Sequence, residues 1–206
     1  MGGCVRTRQS LCRLLLILQL IQISPTALSP PNYEGAQSVG ATRWVARSQK
    51  EDTLSIAERL TELGIALPEP ASPAGAYVRA KRTGNLIYVA GQLPMQDGEL
   101  KSLGRVGADL TLEDGYEAAK MCALNALSVL NAEAGSLDKI VQLVRVEGFV
   151  CSAGAFTDQP KVINGASELF AEVLGEKGSH ARIAIGVSEL PLGASVELAV
   201  IAEVSD

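Results

Sequence analysis

The feature that most constrains the fold lies near the C-terminus, in His180 to Glu203, HARIAIGVSELPLGASVELAVIAE. Two segments of β-type sequence flank Leu190, Pro191, Leu192 and Gly193, which make a turn, and one arginine interrupts the first segment. With a period of two, Ile183, Ile185 and Val187 fall on one face, and Arg182, Ala184, Gly186 and Ser188 on the other. The first face is expected to be core. The second sets a guanidinium among small side chains, leaving room for a small ligand or another subunit. Such an arginine needs an anionic or polar partner, because desolvating it alone costs several kcal/mol. Glu197, on a face with Ser195, Ala199 and Ile201, is a candidate partner, although a register slip of one residue would send it to the opposite face. Spacing leaves Arg182 open between a structural ion pair and a ligand-binding group.

Charge narrows the partners. Residues 1–50 carry six bases and one acid, which leaves 12 bases against 22 acids for residues 51–206 of the 206-residue chain. A body that acidic, with only 4% aromatic residues, offers neither a field for a phosphate backbone nor stacking platforms for single strands. No nucleic-acid partner is expected.

Residues 1–50 read as a targeting extension rather than a fold, and residues 51–206 as one domain. Arg6, Arg8 and Arg13 precede the apolar run Leu14 to Ile23, which has the length of a signal-peptide core and is short for a membrane span. The segment after it is basic, poor in acid and rich in small residues, as transit peptides are. An organelle address, plastid or mitochondrial and removed on import, accounts for both parts; entry into the secretory pathway is the alternative. No stable membrane association of the mature domain is expected. Cys4 and Cys12 lie in the extension, Cys122 in a helical pattern and Cys151 at the end of a strand pattern. No CxxC or histidine-containing metal spacing is present, so two buried thiols are expected and no metal site.

From residue 50 onward the pattern is regular. Ser55 and Glu58 form a capping box before a short helix that stops at Gly64, and 68–75 is a loop. YVRAKR (77–82) and LIYVAGQLP (86–94) read as a β-hairpin turning at Thr83, Gly84 and Asn85, and Asp97-Gly98 marks another turn. Thr111 with Asp114 starts a long helix whose Ala119, Cys122, Ala123, Ala126, Leu127 and Leu130 form a small-residue stripe suited to close packing on a sheet. IVQLVRVEGFVC (140–151) is a strand. Pro160 opens a helix that ends at Gly175. After the first helix the order is β, β, α, β, α, β, β with no glycine-rich phosphate loop. The expectation is an α+β fold, with a mixed sheet carrying two helices on one face and an additional N-terminal helix. The other sheet face has no helix left to cover it, so a homo-oligomer packed sheet against sheet is expected.

YVRA before a hairpin, VAGQLP (89–94), the small-residue helix, VING (162–165) and ARIAIGVSELPLGASVELAVIA (181–202) together resemble the Rid/YjgF family, also called L-PSP endoribonuclease-like, with a chorismate-mutase-like fold. The resemblance covers about residues 52–205 and has the look of a divergent branch. It implies a homotrimer with clefts at the subunit interfaces. It also implies hydrolysis, without cofactor or metal, of small enamine or imine carboxylates of the 2-aminoacrylate type to 2-keto acids and ammonia. By position, Arg182 would clamp the carboxylate, Tyr77 and Asn164 would line the cleft, Gly91 would supply backbone beside the ligand, and Glu197 would orient water or Arg182. A planar guanidinium meets a carboxylate through two parallel hydrogen bonds, which suits that role. Ala90 stands where the well-characterised deaminases carry serine, and Ala184 where they often carry cysteine, so two polar groups are missing from the implied cleft.

Each candidate also has a plainer reading. Tyr77 reads equally as a strand aromatic and Asn164 as a local helix-start cap, while His180, the lone histidine, is expected in a loop. A non-catalytic carboxylate-binding or regulatory trimer is the alternative to the deaminase. Endoribonuclease activity fits less well, because the body is acidic and has no histidine pair or carboxylate cluster suited to phosphodiester chemistry. Chorismate mutase activity would rest on fold analogy alone.

Overall fold

The Ser55 hydroxyl accepts a hydrogen bond from the Glu58 N–H, and the Glu58 carboxylate accepts one from the Ser55 N–H, closing the expected capping box at the head of α1 (Ile56–Glu62). The computed structural model describes residues 54–73 and 75–206. The targeting extension expected over 1–50 lies outside these residues.

A hairpin of β1 (Ala80–Thr83) and β2 (Leu86–Gln92) comes next. Its first strand begins later than YVRAKR predicts. The ladder starts where Ala80 meets Val89, so Tyr77 and Val78 stay outside the strand, 53% and 60% exposed. A small hairpin of β3 (Met95–Gln96) and β4 (Glu99–Leu100) turns at Asp97 and Gly98, both with positive φ. Helix α2 (Leu112–Ala134) starts with the Thr111–Asp114 capping box and stops at Gly135, whose φ of 83° a side chain would disfavour. Its stripe Ala119, Cys122, Ala123, Ala126, Leu127 and Leu130 is completely buried. Strand β5 (Ile140–Cys151) has the expected bounds, and α3 (Gln159–Leu174) carries Pro160 in its first turn. Strands β6 (Ala181–Val187) and β7 (Val196–Val204) close the chain.

The five-stranded sheet has the order β1-β2-β7-β5-β6. Strand β7 lies antiparallel between β2 and β5, and β6 is an edge strand, parallel to β5. The turn at 190–193 therefore carries the chain across β5, and the two C-terminal strands are not neighbours. Directly opposed residues on paired strands share a face. Arg182 is opposed by Val146, which in turn opposes Val200; Ala184 is opposed by Gly148, which opposes Leu198. Val146, Leu198 and Val200 are buried beneath the helices, so this is the covered face. Ile185, Phe149 and Glu197 form a row on the other face, together with Ile183, Ala199, Ile201 and Tyr88.

This reverses the expected faces of β6. Ile183, Ile185 and Val187 lie on the face no helix covers, and Ile185 is 45% exposed. Arg182, Ala184 and Gly186 face α3. Beside Arg182 the residues are small because the approach is close: a Cβ on Gly148 of the neighbouring β5 would fall 2.6 Å from the Ile163 side chain, and one on Gly186 would fall 2.8 Å from Gln159 Nε2 and Ser152 Oγ. Ala184 packs against the core. The small residues of this strand make room for the helix first.

Candidate functional site

The candidate residues divide into two groups on opposite faces of the sheet. Arg182, near the start of the edge strand, reaches along α3. Its Nη1 donates to Asn164 Oδ1 and Ser167 Oγ, both at 2.9 Å, and its Nη2 donates to the Pro160 carbonyl at 3.3 Å. Asn164 and Ser167 stand three residues apart on α3 and so project on one helix face. Of the five guanidinium N–H groups, Nε–H and one on Nη2 find no acceptor among the described residues. No carboxylate pairs with Arg182 there either. Every acceptor it uses is neutral. The result is a held, half-buried cation with two donors still free, which is chemically able to pair with a carboxylate.

The second group is Glu197 with Gly91. Glu197 lies half-buried on the uncovered face, and burial pushes its carboxyl above the usual carboxylate range. A Cβ on Gly91 would sit 1.8 Å from Glu197 Oε1 and 2.8 Å from its carboxyl carbon, so glycine is what lets the carboxylate lie against the β2 backbone. The ladder between β2 and β7 slips at this point, between Val89 and Gln92. Glu197 has no hydrogen-bond or ion-pair partner among the described residues.

The expected pairing of Glu197 with Arg182 within one chain is therefore corrected. The register puts them on opposite faces, with β5 between their strands, and Glu197 cannot orient the guanidinium of its own chain. Asn164 does line Arg182, through a hydrogen bond rather than as a helix cap. Tyr77 belongs to neither group: it precedes β1, is exposed, and hydrogen-bonds through its backbone N–H to Gly75. Sequence reasoning passed over Ser167. Its spacing from Asn164 was visible, but nothing in the sequence tied that helix face to β6.

His180 lies immediately before β6, outside any regular element, as expected, and is tied down by hydrogen bonds. Its Nδ1 is 2.6 Å from the Gly178 carbonyl and its Nε2 is 3.0 Å from Ser167 Oγ. Burial lowers its pKa; the Gly178 hydrogen bond opposes the shift and the Arg182 charge reinforces it. Cys122 and Cys151 are buried, their thiols aimed at the Val196 and Ser188 carbonyls. Among the described residues, no three His, Cys, Asp or Glu side chains gather to hold a metal, and no helix is long and apolar enough to cross a membrane. A separate cavity of about 420 Å³ between 65–68, Met95 and Met121 contains none of the candidate residues.

Similarity to known proteins converges on one family. The family described as "YjgF/chorismate_mutase-like, putative endoribonuclease" matches residues 57–204. Protein TCP17 of Trypanosoma cruzi is 43% identical over 152 residues, spanning 73% of this chain and 95% of that protein. The mitochondrial protein mmf1 of Schizosaccharomyces pombe is 31% identical over 134 residues, spanning 64% of this chain and 70% of that protein. A solved structure from Agrobacterium tumefaciens, of a protein with unknown function, is 45% identical with a TM-score of 0.68, covering 73% of this chain and 94% of that one. The mixed sheet carrying its helices on one face and these similarities place the chain in the YjgF/chorismate mutase-like family, the Rid family of L-PSP endoribonuclease-like proteins.

Proposed function

We propose that this protein hydrolyses small enamine or imine carboxylates of the 2-aminoacrylate type to 2-keto acids and ammonia, as a hydrolase acting on C–N bonds. The observation that carries the reading is Arg182, a cation held by three neutral acceptors with Nε–H and an Nη2–H still free. Two N–H donors on one planar group grip one carboxylate, and lysine offers no such fork. The imine form of the bound substrate is already electrophilic at C2. Water adds there, one of its protons passing by way of a base to the imine nitrogen, and the carbinolamine collapses as its hydroxyl proton follows to nitrogen, releasing ammonia and leaving the keto acid. Such a step needs mainly positioning and a polarised water. Glu197 is the base in this reading, because a carboxylate whose pKa burial has raised accepts a proton more readily than an exposed one.

Arg182 and Glu197 of one chain cannot touch one three-carbon substrate from opposite faces of a sheet. The reading therefore includes a homotrimer in which the uncovered face of one copy, bearing Gly91 and Glu197, meets the Arg182–Asn164 edge of the next, with Tyr77 lining the cleft. Tyr88 and Ile185, exposed on that face, supply apolar surface for the contact. Residues 1–50 act as an address, and the mitochondrial relative favours that organelle over the plastid or the secretory pathway.

The test follows keto-acid release from 2-aminoacrylate generated in situ, comparing the wild-type protein with Arg182→Ala. Wild type is expected to exceed the uncatalysed rate and the variant to lose at least about 100-fold in kcat/KM. Equal rates at the uncatalysed level overturn the reading. Tight binding of pyruvate without turnover would instead establish the carboxylate-binding trimer, which the apolar Ala90 and Ala184 would suit. A monomeric mass in solution would remove the interface cleft.

A further inference from the structure

Behind Arg182 runs a chain of hydrogen bonds whose direction is fixed at every link. The Gly178 carbonyl can only accept, so the proton of neutral His180 sits on Nδ1, 2.6 Å away. Nε2 is then an acceptor. Ser167 Oγ, 3.0 Å from Nε2, receives the Arg182 Nη1–H at 2.9 Å and so donates its own hydrogen to the imidazole. The Phe170 ring meets His180 edge-on, with centroids 5.9 Å apart, and fixes the imidazole plane. With Asn164 Oδ1 taking the other Nη1–H, both hydrogens of that nitrogen are committed and the guanidinium cannot turn about Nε–Cζ without breaking them.

We propose that Ser167 and His180 are positioning residues: with His180 neutral, they lock the guanidinium of Arg182 so that its Nε–H and free Nη2–H present one fixed edge to a carboxylate. The consequence for catalysis rests on the carboxylate-clamp reading of Arg182; the locking itself does not. Ser167 and Phe170 face His180 from α3, the Gly178 carbonyl from the preceding turn, and Arg182 is the charge that acts on it. Protonation of Nε2 would set a second donor against Ser167 Oγ. Two cations would then share one oxygen, and the serine hydrogen would lose its acceptor. Acid is therefore expected to free Arg182 before the fold is lost.

Guanidinium ¹⁵N–¹H spectra of the full chain test the lock directly. At pH 7 wild type should show resolved, slowly exchanging Arg182 Nη signals that broaden as the pH falls through the His180 titration. Ser167→Ala should collapse them at pH 7. His180→Gln, which puts a non-titrating acceptor near Nε2, should keep them resolved across the range. In turnover, Ser167→Ala should raise KM about tenfold with kcat within about twofold, and the acid rise in KM should vanish in His180→Gln. Wild-type Nη signals in Ser167→Ala overturn the proposal. So does an identical pH dependence in wild type and His180→Gln, a comparison that holds even where Ser167→Ala folds poorly. Collapse of the signals in Ser167→Ala, with a wild-type protein that neither binds pyruvate nor turns over, would uphold the lock and remove the deaminase reading.

Discussion

The two faces of the sheet are built to different ends. The covered face is a packed layer in which Arg182 is an exception that α3 has accommodated: three acceptors reach it, and each is neutral. The uncovered face keeps Glu197 half-buried with no partner, among apolar side chains that a monomer leaves in water. Although the uncovered face also carries the Arg145–Glu147 ion pair at 2.6 Å, Arg182 is, among the described residues, a cation without an anion and Glu197 an anion without a cation. Ordinary salt-bridge economy would have joined them. With β5 between their strands, neither charge can offset the other within one chain.

The largest expected difference between the faces is in stability. Leu198 is completely buried on the covered face, and Leu198→Ala should cost about 2–5 kcal/mol, read as a lowered denaturant midpoint. Ile185→Ala, on the uncovered face, should cost the isolated chain much less and should instead weaken self-association, read as a fall in mass by light scattering. An equal loss of stability in both variants would erase the distinction between the faces.

Gly91→Val tests the uncovered half next. The new Cβ would meet the far end of a flexible side chain, Glu197 Oε1 at 1.8 Å, rather than backbone. The carboxylate can swing away at little cost to the fold, and displacing a reacting group by about 1 Å is enough to lose about 100-fold in rate. Turnover should fall by that order while the melting temperature barely moves. A variant that unfolds would show that Gly91 serves packing rather than the carboxylate.

Much of the fold was legible, because its ends are written in local chemistry. Ser55, Thr111 and Gly135 marked helix limits through hydrogen bonds and dihedral preferences that need no tertiary knowledge, and the twelve residues of β5 were bounded correctly. Pairing was not legible. The insertion of β7 between β2 and β5 is a long-range choice, and it separates Arg182 from Glu197. The face of β6 was misread for a related reason: alternation distinguishes two faces of a strand, but only the approach of α3, set by Gly148 and Ile163, decides which is covered. Tyr77 lies outside β1 because the ladder begins only at Ala80. Arg182 and Asn164 were placed together by resemblance, whereas Ser167 and His180 could be joined to them only once α3 lay against the edge strand.

The smallest effect has the most informative sign. Glu197 has a folded-state pKa raised by burial above its reference of 4.5, so between those two values the folded protein holds a proton that the unfolded chain has released. Stability must fall as the pH rises through that window, and the penalty is complete above the folded pKa. Glu197→Gln removes the titration. At pH 7 the variant should melt slightly higher than wild type, and the gap should close as the pH drops below 4.5. Turnover should move the other way, falling by at least about tenfold at pH 7 as the base is lost. A residue that served structure would lose both quantities together; a gain in one against a loss in the other is what a charge kept for chemistry at the fold's expense predicts. The same measurement on the oligomer sharpens the comparison. If the edge of a second copy brings Arg182 against Glu197, assembly should lower the Glu197 pKa, and the stability gain of Glu197→Gln should shrink or reverse as protein concentration rises.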